Sequence, residues 1–209
     1  MDAIVARPFS AQDFKLRAIR ERAPDHDDYG DHRFNPQHGH LINRVNLRAA
    51  AVLIPIVDHG DEASVILTKR AEKLRNHSGQ VAFPGGRIDP TDATPEDAAL
   101  RETMEEIGLD AEHIEIIGRI PDYVAGSGYR IAPVLGIVRP GFQLTINEHE
   151  VDAAFEVPLR FLMDPTNHER GSRMWDDKEW FYYDMPYGGR RIWGVTAGII
   201  RTLYERLYR

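Results

Sequence analysis

Phe83-Pro84-Gly85-Gly86-Arg87-Ile88-Asp89-Pro90-Thr91-Asp92-Ala93-Thr94-Pro95-Glu96-Asp97-Ala98-Ala99-Leu100-Arg101-Glu102-Thr103-Met104-Glu105-Glu106-Ile107-Gly108-Leu109 is the stretch on which the fold turns. Thr94 offers an N-cap hydroxyl, Pro95 suits the first helical position, and Asp97 stands three residues after the cap. Gly108 closes the other end. These signals predict a helix over Pro95–Ile107. With Leu100 set to zero and about 100° per residue, Met104 and Ile107 fall near 40° and −20° and form a narrow apolar stripe. Glu105, Glu102 and Glu106 fall near 140°, 200° and 240°, on the opposite flank. Like charges so spaced cost a helix about 0.2–0.5 kcal/mol per pair. Solvated helix faces usually interleave Lys with Glu. Between Asp89 and Glu112 the chain holds nine acids and a single base, Arg101. Such a cluster supplies the oxygen ligands of a hard divalent cation; a plain solvated flank is the other reading, and both stand at this point.

The residues before the helix add to the first reading. Gln80-Val81-Ala82-Phe83 looks like a strand, and Gly85-Gly86 then lets backbone come close to a ligand. A glycine pair alone is an ordinary turn. A glycine pair leading into a carboxylate helix is a rarer combination.

The whole chain has 209 residues, with 26 Lys+Arg against 33 Asp+Glu, hence a net charge of −7. That balance disfavours a general nucleic-acid or membrane-surface binder, which needs a positive face. With no Cys, a disulfide framework, a thiolate zinc site and a Cys nucleophile are all excluded. A reducing, cytoplasmic location is the expectation, since the first residues hold no signal-peptide core and no apolar run is long enough to span a bilayer. No Asp-x-Asp-x-Asp-Gly loop points to a calcium module.

Ser10 to about Arg22 reads as a helix capped by Ser10, followed by a polar connector from Asp25 to His40. His26, His32, His38 and His40 lie in that connector, and their irregular spacing suits a solvated loop better than a metal site. Ala49–Val57 reads as a buried strand interrupted by Pro55, and Ser64–Lys69 as its hairpin partner. Glu115–Ile120, Ile131–Val138 and Glu156–Leu159 supply further strands. Trp180–Tyr183 and Arg190–Trp193 make a second hairpin around Met185-Pro186-Tyr187-Gly188-Gly189. Thr196–Tyr208 is a helix whose stripe of Ile199, Ile200, Leu203 and Leu207 serves core packing or, as a second use, a homodimer contact. Strands and helices intermingle without a linker, so one α/β or α+β domain is expected.

Two motifs carry a family resemblance. Gly86 followed by Arg101-Glu102-Thr103-Met104-Glu105-Glu106-Ile107-Gly108-Leu109 resembles the box of the Nudix hydrolases. The spacing of Gly86 from Arg101 is one residue longer than that box, its first Glu is replaced (Asp92 by one count, Ala93 by the other), and Thr103 stands where an apolar residue is usual. Upstream, Leu67-Thr68-Lys69-Arg70-Ala71, then Arg75, Gly79 and Phe83-Pro84-Gly85-Gly86, is similar to the signature of the coenzyme A diphosphatase branch, which also shares the longer box. The resemblance implies an α/β/α sandwich with a mixed sheet over residues 46–209 and a short helical N-terminal extension over residues 1–45.

The resemblance also implies the chemistry. Mg²⁺ or Mn²⁺ would be held by Glu102, Glu105, Glu106 and the carbonyl of Gly86. Coenzyme A would be cleaved at its diphosphate to 3′,5′-ADP and 4′-phosphopantetheine, its contacts drawn from Arg70, Arg75, His77, Gln80, Gly85 and Gly86. The acidic helix cannot bind phosphate, whereas arginine suits bidentate phosphate contacts; Lys69 and Lys73 read better as surface charges. Arg101 would orient Glu105 or a loop carbonyl. The general base is left between Glu105 and the loop acids Glu148 and Glu150. Tyr123–Arg130 is either an ordinary loop or a wall of the substrate site. Rival readings are a Nudix enzyme for ADP-ribose or NADH, and a non-catalytic nucleotide sensor; no nucleic acid or membrane partner is expected.

Overall fold

The computed structural model describes residues 6–20, 29–38, 40, 46–74, 76–175 and 177–209. Its centre is a pair of long parallel strands, β2 (Arg48–Asp58) and β8 (Tyr129–Val138), in register from Arg48↔Tyr129 to Val57↔Val138. Both strands are apolar on both faces because both faces are covered. On one face Ala51, Leu53, Ala132 and Val134 meet Ala98 and Ala99 of α2 (Pro95–Ile107). On the other, Ile54, Ile56, Leu135 and Ile137 meet α1 (Ala11–Arg20) through Phe14, and α4 (Val195–Leu207) through Ile199, Ile200 and Leu203. The result is the expected three-layer sandwich with a mixed sheet.

Seven further strands complete that sheet. They are β1 (Tyr29–Gly30), β3 (Ala63–Arg70), β4 (Val81–Ala82), β5 (Gly85–Arg87), β6 (Ile114–Arg119), β7 (Tyr123–Ala125) and β9 (Val151–Pro158). The order is β1-β7-β8-β2-β3-β4, with β5 beside β2, β6 beside β8 and β9 beside β3. The hairpin of β2 and β3 forms as expected, with Ile56↔Val65 and Asp58↔Ala63. Pro55 is tolerated in a central strand because β2 changes partner there. It pairs with β5 over Ala50–Val52 and with β3 only from Ile56, so the missing N–H falls in the gap.

A second sheet stands apart: β10 (Glu169–Trp175), β11 (Lys178–Tyr187) and β12 (Arg190–Trp193). The second hairpin is thus present but tighter than expected. Met185, Pro186 and Tyr187 continue β11, and Gly188-Gly189 alone makes the turn, with Tyr187↔Arg190 closing it. β10 has no counterpart in the sequence reading. Leu159 was expected to end a strand, but it opens a short helix, α3 (Leu159–Leu162), once Pro158 has ended β9.

Residues before 46 were expected as an extension. The described part is built into the domain. Ser10 caps α1 by accepting the Asp13 N–H at 3.1 Å, and Phe14 is fully buried. Tyr29 and Gly30 pair in parallel with Tyr123 and Val124. Asn35, also fully buried, receives the Phe181 N–H at 2.7 Å and donates to the Asp31 and Phe181 carbonyls at 2.9 and 3.0 Å. That amide fastens the first sheet's edge to the second sheet. Of the connector histidines, His26 lies outside the described residues, and His38 lies near the Trp180 ring at 5.9 Å.

Candidate active site

α2 begins and ends as its sequence dictates. The Thr94 hydroxyl accepts the Asp97 N–H at 3.1 Å, and Gly108 adopts the left-handed conformation (φ 65°) with its N–H on the Met104 carbonyl. Its orientation differs from the apolar-stripe expectation. Met104 is 51% exposed and Leu100 only half-buried, while Ala98, Ala99, Thr103, Glu106 and Ile107 are buried. The two alanines let the helix sit close to β2 and β8. Thr103 fits an apolar place because its hydroxyl donates to the Ala99 carbonyl at 2.6 Å within the helix. Turning the buried face this way carries Glu106 inward, and Glu105, about 100° away, outward.

The carboxylates therefore sort differently from the expected trio. Glu102, Glu106 and Glu150 bring one oxygen each within 4.8 Å of the others. Glu105 is not among them. It is exposed, and its carboxylate lies 3.3 Å from Arg101 Nη1. Glu150 comes from the turn after Asn147, whose side-chain amide donates to it at 3.3 Å, while Glu148 of the same turn is exposed. Three negative groups so close need a reason. Burial pushes the Glu106 carboxyl up from its ordinary 4.5 to about 7, against the opposing Gly85 N–H (3.2 Å) and Arg70. Burial also raises Glu102, with Arg101 opposing. An acid held in this state suits a ligand that brings positive charge, and oxygen-only donors suit a hard divalent ion.

Gly85 is required by backbone contact, and Gly86 leaves room for the Glu102 carboxylate. A Cβ on Gly86 would stand 2.4 Å from the Glu102 carboxylate carbon, and one on Gly85 2.4 Å from the Ala51 carbonyl. Arg101 holds the loop and helix together. It takes Asp92 in a fork (Nε–Oδ1 3.0 Å, Nη2–Oδ2 2.9 Å), donates to Glu102 at 2.9 Å, and donates to the Arg87 carbonyl at 3.1 Å. The guanidinium keeps the Asp92 carboxyl below its usual range. The sequence pattern gives Asp92 no role, although counting from Gly86 lands on it; in the structure it is the partner that fixes Arg101. Arg101→Gln should therefore loosen Glu102 and lower divalent-ion affinity about 10–100-fold, the usual cost of removing a group that orients a ligand. Calorimetry with Mn²⁺ measures it, and an unchanged affinity would count against this role.

Arg70 sits between the carboxylates and open space. Its Nη1 is 3.6 Å from Glu106 Oε1, and its buried Nε has no partner. Arg70, His77, Gln80, Gly85 and Gly86 all line one cavity of about 650 Å³. His77 Nδ1 lies 2.9 Å from Gln80 Oε1. Arg75 lies outside the described residues. Lys69 pairs with Glu72 at 2.8 Å, as a surface charge does.

The cavity runs across the sheet. From β5 it passes Ala50 and Val52 of β2, then Tyr129 and Ile131 of β8, to Asp31, Gly126 and Ser127. That is three strand spacings from β5 to β7, or about 14 Å. Part of the Tyr123–Arg130 segment is thus cavity wall, although its flanks are β7 and β8. Asp31 fixes the far end, accepting the Tyr123 hydroxyl and the Gly126 N–H, each at 2.7 Å; burial raises its carboxyl above the ordinary value despite those bonds. The third side is the second sheet with the start of α4.

Known proteins resemble this chain over much of its length. The family described as the NUDIX domain matches residues 47–187. A protein named uncharacterized Nudix hydrolase NudL from Klebsiella pneumoniae (strain 342) is 42% identical over 165 residues, covering 76% of this chain and 82% of that protein. Its namesake from Escherichia coli (strain K12 / DH10B) is 42% identical over 172 residues, covering 78% and 85%. Among solved structures, a Nudix hydrolase from M. smegmatis, RenU, aligns with a TM-score of 0.48 at 28% identity, over 56% of this chain and 74% of that one. No described helix is long and apolar enough to cross a membrane. With the domain match spanning most of its length, and relatives of this identity, the chain belongs to the Nudix hydrolase family.

Proposed function

We propose that this protein is a divalent-cation-dependent diphosphatase that hydrolyses coenzyme A, free or acylated, to 3′,5′-ADP and 4′-phosphopantetheine or its acyl form. The observation that carries the reading is the Glu102–Glu106–Glu150 cluster, which touches the lining of the cavity through Arg70 (3.6 Å from Glu106) and the Gly85 N–H (3.2 Å from Glu106), where His77 and Gln80 also face that cavity. All but Glu150 fall within the two stretches by which the sequence resembles the Nudix box and the coenzyme A diphosphatase signature.

Glu102, Glu106 and Glu150 would hold Mg²⁺ or Mn²⁺, with the Gly86 carbonyl as a further donor. The bound ion would neutralise diphosphate oxygens and lower the pKa of a water molecule. Arg70 would clamp the diphosphate from the cavity side, its Nε being a donor with nothing to bond. Glu150, the loop-borne member, is the candidate to take the proton of the attacking water. Glu105 is less suited to this role, since it stands outside the cluster and pairs with Arg101. Arg101 and Asp92 orient Glu102 and touch no substrate.

A product assay tests the proposal. With Mg²⁺ or Mn²⁺ the protein is expected to release 3′,5′-ADP and 4′-phosphopantetheine from coenzyme A, with a higher kcat/KM than for ADP-ribose or NADH. A preference for either dinucleotide would replace the substrate assignment. No turnover of any of them would favour a binding role.

A further inference from the structure

The cavity wall contributed by the second sheet has no role in the chemistry described so far. It is built by β10–β12. The registers Arg173↔Trp180, Trp175↔Lys178 and Asp184↔Trp193 place Arg173, Trp175, Trp180 and Trp193 on one face of that sheet. The chain has three tryptophans, and all three line the cavity. Trp175 leans on Trp180 with ring centroids 5.0 Å apart, yet it remains 48% exposed. A large exposed indole at a cavity wall is a surface waiting for a flat apolar group.

Two arginines flank Trp193, and they differ. Arg191 is committed, with Nε on Asp184 at 2.5 Å and Nη2 on the Tyr182 hydroxyl at 3.0 Å. Arg173 lies over the Trp193 ring at 5.5 Å, and no described carboxylate forms an ion pair with it. Asp31, the acid whose field it feels, is occupied by Tyr123 and Gly126. In a chain of net charge −7, an uncommitted guanidinium beside an exposed ring in a cavity wall suits a ligand that is planar at one point and anionic at the next.

We propose that this wall is a nucleotide subsite: the base stacks on the exposed Trp175 ring, and a ribose-borne phosphate pairs with Arg173. The protein would then select nucleotides bearing a phosphate besides those of the scissile diphosphate. The inference rests on the proposed function only in placing the diphosphate at the carboxylate end. Adenosine bearing phosphates at both 3′ and 5′ is the matching ligand class.

Because every tryptophan lies at the cavity, intrinsic fluorescence reports occupancy without metal or turnover. Titrated with 3′,5′-ADP and with 5′-AMP, the wild-type protein should bind the bisphosphate about ten-fold tighter or more, as expected for a charge-assisted pair. Arg173→Gln should bring that ratio close to one with 5′-AMP affinity unchanged, and Arg173→Lys should keep part of it. Trp175→Ala, read through the remaining two indoles, should weaken both ligands. Equal wild-type affinities, no saturable signal at millimolar bisphosphate, or an Arg173→Gln protein with the wild-type ratio would each overturn the proposal. The two readings fail separately. Discrimination without coenzyme A hydrolysis removes the substrate assignment and keeps the subsite; hydrolysis with an unchanged KM in Arg173→Gln does the reverse.

Discussion

Replacing Glu106 by Gln should lower turnover of the proposed substrate, coenzyme A, by about three orders of magnitude, because electrostatic stabilisation of a diphosphate would be lost together with a proposed ion ligand. The same change should make the metal-free protein more stable. Glu106 is buried, and its carboxyl is raised from 4.5 to about 7. In the unfolded chain this acid ionises near its ordinary value. The folded state binds the proton more tightly, so the group favours folding at low pH. That contribution fades as pH rises from about 4.5 through about 7 and is gone above it. Gln carries no such penalty and can still accept the Gly85 N–H. At pH 8 Glu106→Gln should therefore gain on the order of 1–3 kcal/mol over the metal-free wild type, an advantage that shrinks below pH 7. Thermal melts at pH 5 and pH 8, with and without Mn²⁺, measure both halves. Mn²⁺ should raise the wild-type Tm and leave the variant where it is. A variant with wild-type turnover, or one that still melts higher with Mn²⁺, would show that Glu106 does not hold the ion.

Gly86→Ala is the second large effect. Its methyl group would enter the space of the Glu102 carboxylate, whose carbon and nearer oxygen are 2.4 Å from the added atom. The backbone there is paired with Ala51, and Arg101 pins Glu102 from the other side, so neither can retreat freely. Displacing a ligand by about 1 Å typically costs about 10²-fold in rate. Turnover should fall by that order and the requirement for Mn²⁺ should rise, with little change in secondary structure. Metal-concentration curves of activity, together with circular dichroism, separate this outcome from unfolding. An alanine variant with wild-type curves would mean that Glu102 stands elsewhere when the ion is bound.

How much of this could be read in advance follows from where the information lies. The ends of α2 are written locally, in Thr94, Pro95, Asp97 and Gly108, and the helix runs over the residues those signals mark. Its rotation is not local. Leu100 and Met104 outrank alanine in hydrophobicity, but Ala98 and Ala99 are what β2 and β8 leave room for. The inward face thus falls on Thr103 and Glu106, and Glu105 leaves the cluster. Glu150 could be named only as one of two loop acids, beside Glu148, because its nearness to Glu102 depends on the turn at Asn147. β10 escaped because Glu169–Trp175 alternates polar and apolar residues only weakly, and six of its seven residues are exposed. Asn35 carries no signal in sequence at all. An asparagine between proline and phenylalanine reads as a turn residue, and only the approach of Phe181 makes it a core one.

The Asn35 amide bears on how this protein can be shortened. The segment recognised as the family's domain begins at residue 47 and stops at 187. A recombinant chain trimmed to those limits would keep every acid of the cation cluster and the Arg70 region. It would lose Phe14, Tyr29, Asn35, β12 and the whole closing helix with Ile199, Ile200 and Leu203. Greasy patches on two flanks would meet solvent, and the edge of β11 would lie bare for strand addition between molecules. Such a fragment should precipitate or elute as aggregates on size exclusion, so the minimal catalytic unit is bounded by its scaffolding and not by its reactive groups.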